Sequence, residues 1–288
     1  MLKDAEAAIY GSRAANGVIL VTTKRGAKGR AVVNFSYDQG FQQPTRTPKM
    51  ADSYTFASVA NEMAVLRHSD PNSDPVLPYT PEDLAKFKAG KEPGYRTTDW
   101  YRRTMHKWVP QHRTNVSVSG GSDRINYFFS VGELMQRDRF KESSGKYRQY
   151  NVRSNIDVKI ARSLTMGLNL AGTFDKRHVP YFSSTEMASH IFLYHPYWET
   201  YWPGTNYLKP LRGDQNWVNM VSDNAGYHDL ENKKFQGTLF LKWEVPWVKG
   251  LMLEASGSYD TLHEYWKTFR TPSYVYLSLI HISEPTRP

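Results

Sequence analysis

The chain has nine His and no Cys, so any catalytic or metal centre must be built from imidazoles, carboxylates and hydroxyls. His178, His190 and His195 lie near one another in sequence, but no two share a helix face with a Glu in the order that zinc proteases use. The acid pairs Asp260/Glu264 and Glu82/Asp83 fall in strand and loop contexts, where solvated carboxylates are the ordinary case and a paired acid and base the exception. No Gly-x-Ser-x-Gly elbow occurs, and Gly26-Ala27-Lys28-Gly29-Arg30 lacks the full phosphate-loop spacing and has no helix behind it. No catalytic residue, metal site or cofactor is expected. The chemistry that does stand out is aromatic. Between Tyr181 and Trp217 the chain carries Tyr197, Trp198, Tyr201, Trp202 and Trp217 among many Pro, Gly, Asn and His. Such rings stack on sugars and on peptide side chains while their polar tips hydrogen-bond. They also pack a long loop against itself. Internal packing and partner contact outrank direct ligand contact for these rings, because aromatic residues serve packing most often.

The elements that would hold this loop are strands. A β-branched run, Gly17-Val18-Ile19-Leu20-Val21-Thr22-Thr23-Lys24, follows a short helix-forming stretch at 2–9 and has the pattern of a strand covered on both faces. Gly26 and Gly29 end it. Alternation of apolar and polar residues then begins at Val32–Asp38. It recurs at Thr114–Ser119, Ile125–Val131, Tyr150–Ile160, Leu164–Phe174, Phe235–Trp247 and Leu251–Tyr259. These are seven barrel-type strands after the first buried one. From about Gln42 to His112 the pattern predicts a large excursion, with an amphipathic helix near Asp52–Leu66 and a Pro-rich acidic piece after it.

The connections alternate in length. Those after Ser119, Ile160 and Trp247 are a few residues long, whereas those after Tyr37, Leu134 and Phe174 are longer. Outer-membrane barrels show this asymmetry, with short periplasmic turns and long external loops. The parity holds throughout if Val32–Asp38 runs outward. A β-sandwich also uses short alternating strands, but a connection from Arg177 to Lys234 is hard to place in one. Trp243, Trp247 and Tyr259, near strand ends, suit an interfacial girdle.

Composition agrees with a barrel. Aromatic residues make up 14% of the chain, with 19 Tyr and 8 Trp. Mean hydropathy is −0.62, and no apolar run approaches the roughly 20 residues of a membrane-spanning helix. The net charge of +9 comes from scattered Lys and Arg. Its densest groups, Lys24–Arg30 and Arg102-Arg103, lie in turns and polar segments without a recognition-helix spacing, so nucleic acid is not an expected partner.

The first residues carry a longer signature. Leu2-Lys3-Asp4-Ala5, then Ile9-Tyr10-Gly11-Ser12-Arg13-Ala14-Ala15-Asn16-Gly17 running into Val18–Gly26, closely resemble the end of the plug in SusC/RagA-type TonB-linked outer-membrane proteins. Thr98-Asp99-Trp100-Tyr101, Val118-Ser119-Gly120-Gly121-Ser122 and Tyr150–Asn155 resemble the early barrel of the same family, in the expected order. The resemblance implies an all-β fold: a partial transmembrane barrel of about seven antiparallel strands, an open sheet, preceded by the last strand of a plug. It divides the chain into a plug end at 1–29 and barrel strands with external loops at 30–276. Within the plug motif Tyr10, Gly11, Ser12, Arg13, Asn16 and Gly17 are the marked positions.

Membership of that family would imply a non-enzymatic receptor in the outer membrane of a Gram-negative, Bacteroidetes-type bacterium. It would work with the TonB complex, through a segment upstream of this chain, and with a SusD-like surface lipoprotein. Its cargo would be an oligosaccharide or a peptide, and outer-membrane lipid would surround it. No export signal occurs at the amino terminus, so the start of the parent protein is expected upstream. Leu277–Pro288 matches the in-frame translation of a transposase-type sequencing adapter and is expected to be foreign. The alternative function is a surface-binding or adhesive β-protein that holds a partner without transport.

Overall fold

The computed structural model describes residues 23–212 and 215–278. The plug-motif positions Tyr10 to Gly17, the β-branched run before Thr23 and most of the carboxyl-terminal stretch lie outside the described residues. Seven strands form one antiparallel sheet in chain order, each paired with the next. They are β1 (Gly29–Gln42), β2 (Val109–Gly121), β3 (Ile125–Arg137), β4 (Lys146–Ala161), β5 (Leu164–Pro180), β6 (Gly226–Glu244) and β7 (Met252–Arg270). β1 and β7 are its two edges.

The register shows why alternation was the signal. Residues directly opposite in a ladder share a face, so a row can be read across the strands. Phe35, Val116, Val131 and Val152 form one row, which continues through Gly172 to Phe235. One residue along, Asn34, Ser117, Ser130 and Arg153 form the next, which continues through Ala171 and Gln236 to Asp260. From β1 to β6 these rows make one face apolar and the other polar, the arrangement that a strand wall between lipid and a wet interior needs.

The strands are longer than the alternation marked. β6 begins at Gly226 rather than Phe235, and β5 runs on to Pro180, so the connection between them is 181–225 and not Arg177–Lys234. β2 starts at Val109, and β7 continues to Arg270, which leaves Tyr259 in mid-strand instead of at an end. Trp243 shares a row with Leu164 and Leu253 at the short-turn end of the sheet and meets Trp247 with ring centroids 5.5 Å apart. The expected asymmetry of the connections holds, with 122–124, 162–163 and 245–251 on one side and 43–108, 138–145 and 181–225 on the other.

The core sits in those long connections, not in the sheet. The first contains helices α1 (Ser53–Arg67), α2 (Pro81–Ala89) and α3 (Trp100–Thr104); the last contains α4 (Ser184–Phe192), α5 (Trp217–Met220) and a 3₁₀ turn at Asp223–Ala225. α1 falls where a helix was expected, but its buried residues are the small Ser53 and Ala57, while Val59, Met63 and Leu66 are exposed. α2 was hidden in the Pro-rich acidic piece. It opens on a reciprocal capping box between Thr80 and Asp83 and closes at Gly90, whose φ of 60° is left-handed. α4 has a one-way cap, the Ser183 hydroxyl accepting from the Glu186 amide at 3.1 Å. Trp100, Met187, Ile191, Val218 and Val221 are wholly or almost wholly buried where these helices meet.

Candidate functional site

Two places bring together residues that the sequence singled out. The first is the polar face of the sheet, crossed by residues 23–28 before the chain enters β1. Asn155, 3% exposed in mid-β4, donates through Nδ2 to the Lys24 carbonyl at 2.7 Å and to Thr23 Oγ1 at 3.2 Å. Arg25 pairs with Asp157 on the same strand, and its guanidinium lies over the Phe240 ring, 5.0 Å from the centroid. Asp157, Gly167 and Phe240 belong to one row. Phe240 covers Gly167 so closely that a Cβ there would stand 1.9 Å from its Cζ. Gly26 lies flat against the backbone of β2 and β3, where a Cβ would meet the Tyr127 carbonyl oxygen at 2.2 Å. Only a glycine permits that approach. Lys28 then pairs with Asp123 in the β2–β3 turn, and this hydrogen-bonded ion pair holds the Asp123 carboxyl below its ordinary range.

The second place is the junction of the two longest connections. Trp100 has no exposed surface; its Nε1 donates to the His195 carbonyl at 3.0 Å and its ring meets Tyr194 at 4.9 Å, edge to face. Asp99 holds the helix start that aims Trp100, accepting from the Arg102 amide at 3.0 Å. Thr98 ties the same segment to the far loop, its amide donating to the Pro196 carbonyl at 2.6 Å. His195 stacks on Trp198 at 4.3 Å and lies 4.6 Å from Phe56 of α1. Burial, with the positive charge of Arg212 as a smaller cause, pushes the His195 imidazole below its ordinary pKa. Tyr197 Oη hydrogen-bonds with His195 Nδ1 across 2.8 Å and with Tyr79 Oη across 3.0 Å. Burial and the Tyr79 hydrogen bond both raise the Tyr197 phenol. A chain of polar contacts inside an aromatic cluster thus joins α1, α2 and the far loop.

The five aromatic positions marked in the loop divide between inside and surface. Trp217 is 3% exposed, stacked face to face on His190 at 3.9 Å, and its amide donates to Tyr194 Oη at 2.7 Å. Trp198 and Tyr197 are half-buried in the junction just described. Tyr201 is exposed, bridged to Leu208. Trp202 donates its Nε1 to the Tyr276 carbonyl at 2.7 Å and carries Lys209 over its ring at 5.0 Å. The structure therefore does not gather all five on one surface. Trp100, Tyr194, His195 and Tyr79 complete the junction; the sequence marked Trp100, in Thr98-Asp99-Trp100-Tyr101, and His195, among the loop histidines, but neither signal revealed its partner.

The comparisons with known proteins come from sequence and from fold. No protein-family model matches the chain. The TonB-dependent receptor P26 of Formosa agariphila is 30% identical over 174 residues, which are 59% of this chain and 16% of that receptor. The TonB-dependent receptor SusC of Bacteroides thetaiotaomicron is 28% identical over 183 residues, 63% of this chain and 14% of SusC. The chain thus spans about a sixth of the length of such relatives. Two solved structures of the RagAB peptide importer share the fold. The closed-closed state superposes with a TM-score of 0.69 at 21% identity, and the open-open state with 0.70 at 20%. Each covers 96% of this chain and 33% of the solved one.

Proposed function

We infer that this chain, part of a SusC/RagA-type TonB-dependent receptor of the outer membrane, forms a section of the wall and the end of the plug of an importer that brings an oligosaccharide or a peptide through that membrane. The observation that carries this reading is the passage of residues 23–28 over the polar face of the sheet. Arg25 and Asn155 fasten the incoming chain to the inside of the wall, which suits a plug and has no counterpart in a protein that only adheres. In this reading residues 1–29 complete the plug, 30–276 are barrel strands and external loops, and the rows headed by Phe35 and Asn34 face lipid and lumen respectively. The TonB complex supplies the pull through a segment upstream of this chain. A SusD-like surface lipoprotein meets the long connections, where Tyr201 is exposed and Trp202 half-buried. The importer of peptides that shares the fold, and the receptors similar in sequence, support the reading.

Uptake of labelled ligand by cells carrying the intact receptor is the test. The expected result is uptake that stops when a protonophore collapses the inner-membrane gradient, while surface binding of the same ligand persists. Uptake indifferent to the gradient, or binding with no uptake at all, would favour the adhesive reading.

A further inference from the structure

Two adjoining cavities open on the long-loop side of the sheet, between the start of the β1–β2 connection and the β3–β4 turn. The first, about 710 Å³, is lined by Gln42, Arg46, Val109, Arg137, Arg139 and Phe192 among others. The second, about 950 Å³, shares Pro44, Tyr101 and Met105 with it and adds Lys49 and Lys107. Their floor continues the polar face. Gln42 pairs with Val109 in the ladder, and the Gln42 and Gln136 amides donate to the same Gln111 oxygen at 2.6 and 2.9 Å.

The charge around these cavities is one-sided. Their two carboxylates are already committed to local structure. Asp99 caps α3 and lies 3.4 Å from Arg102 Nε. Asp138 accepts from the Ser143 hydroxyl and from the Arg139 amide, both at 2.6 Å. Arg46, Lys49, Lys107, Arg137 and Arg139 have no carboxylate within ion-pair distance among the described residues. Five unneutralised cations around a concave space raise the local concentration of anions and bind them in place of counterions. Guanidinium groups also take carboxylate or sulfate oxygens two at a time. Beside the cations, the Tyr101 and Phe192 rings stack at 6.0 Å and 28°, and Gln43, Thr45 and Thr47 supply amides and hydroxyls along the rim.

We propose that this groove binds an acidic oligosaccharide, one bearing carboxylate or sulfate groups on its sugar units. The cations take the acidic groups, the ring pair offers an apolar platform to a sugar face, and the rim polar groups match hydroxyls. An acidic peptide shares the charge but needs neither the platform nor the hydroxyl-matching rim. That the bound sugar is cargo rests on the import reading above; the binding itself does not.

The intact receptor in detergent, titrated calorimetrically with a galacturonate hexamer, a maltohexaose of equal length and hexaglutamate, tests the proposal. The galacturonate hexamer is expected to bind at least tenfold more tightly than maltohexaose, and more weakly as salt rises from 50 to 200 mM. Combining Lys49→Gln, Lys107→Gln and Arg139→Gln should weaken it about tenfold or more, with the heat-modifiable gel migration of the barrel retained. Equal binding of maltohexaose, or an unweakened triple variant, overturns the proposal. Hexaglutamate binding as tightly as the galacturonate overturns the choice of a saccharide. Galacturonate binding that survives in a receptor incapable of uptake removes the import reading and leaves the groove assignment intact.

Discussion

Trp100 gives the sharpest test of how the two longest connections hold together. Replacing it with Ala removes a fully buried indole from between α3 and α4 and leaves the His195 carbonyl without its donor. Deleting a buried Trp or Phe side chain costs about 3–5 kcal/mol, and an orphaned buried acceptor adds roughly 1 kcal/mol. Because every 1.4 kcal/mol is about tenfold in an equilibrium, opening of the junction should become roughly a thousandfold to ten-thousandfold more frequent. Trp100→Phe keeps a ring against Tyr194 and loses the hydrogen bond and part of the indole, so it should cost about 1–2 kcal/mol. Hydrogen–deuterium exchange of the intact receptor reads both. Amides of α4 and of 193–198 should lose most of their protection in Trp100→Ala and some of it in Trp100→Phe, while those of β4 serve as an unchanged reference. If the amides of α4 exchange in Trp100→Ala within about tenfold of the parent, the junction is not held by this residue and the reasoning fails.

Two further outcomes follow from the geometry. Gly26→Val should displace residues 23–28 from the polar face, since a Cβ cannot coexist with the Tyr127 carbonyl. Trypsin should then cut at Lys24, Arg25 or Lys28 in intact receptor that otherwise resists it; equal resistance would contradict the close approach. His195 gives a pH dependence. Its folded pKa lies below the unfolded value, so the unfolded junction binds more protons between the two. Its contribution is complete above the unfolded value of about 6.5 and is lost as pH falls through that value toward the folded one. Protection of 193–198, measured against the intrinsic rates, should therefore fall as pH drops from about 7.5 to 5, and His195→Gln should abolish that fall.

The parts of the fold that alternation revealed are the parts where the two faces meet different surroundings. Above the apolar band both faces are wet, so nothing in the hydropathy of Asp229–Lys234 marks a strand. Pairing there is written instead in cross-strand contacts: His178 with Asp229 at 2.6 Å, Lys176 with Glu231 at 2.9 Å and Asn232 with Asp175 at 3.0 Å. Such partners are invisible until the register is known, which is why β5, β6 and β7 were drawn short. α2 and α4 were legible in principle, since Thr80-x-x-Asp83 and Ser183-x-x-Glu186 are helix-start spacings set among residues that looked like loop. The aromatic loop was visible as composition, but the division between Trp217 inside and Tyr201 outside was not. That division depends on Trp100 and Tyr79, which lie about a hundred residues earlier and arrive only when the sheet is folded.

The central claim is that one face of this sheet meets lipid and the other a wet lumen. Nitroxide labels placed singly at Phe35, Asn34, Leu239, Thr238, Gly237 and Gln236 of the intact receptor in lipid bilayers measure it through collision with oxygen and with a water-soluble nickel chelate. The rows predict that labels at Phe35, Gly237 and Leu239 favour oxygen, while those at Asn34, Gln236 and Thr238 either favour the chelate or are shielded from both by the plug. Accessibility without a period of two, or chelate reaching Phe35 and Leu239 as readily as Asn34 and Thr238, would show that this sheet is not a barrel wall.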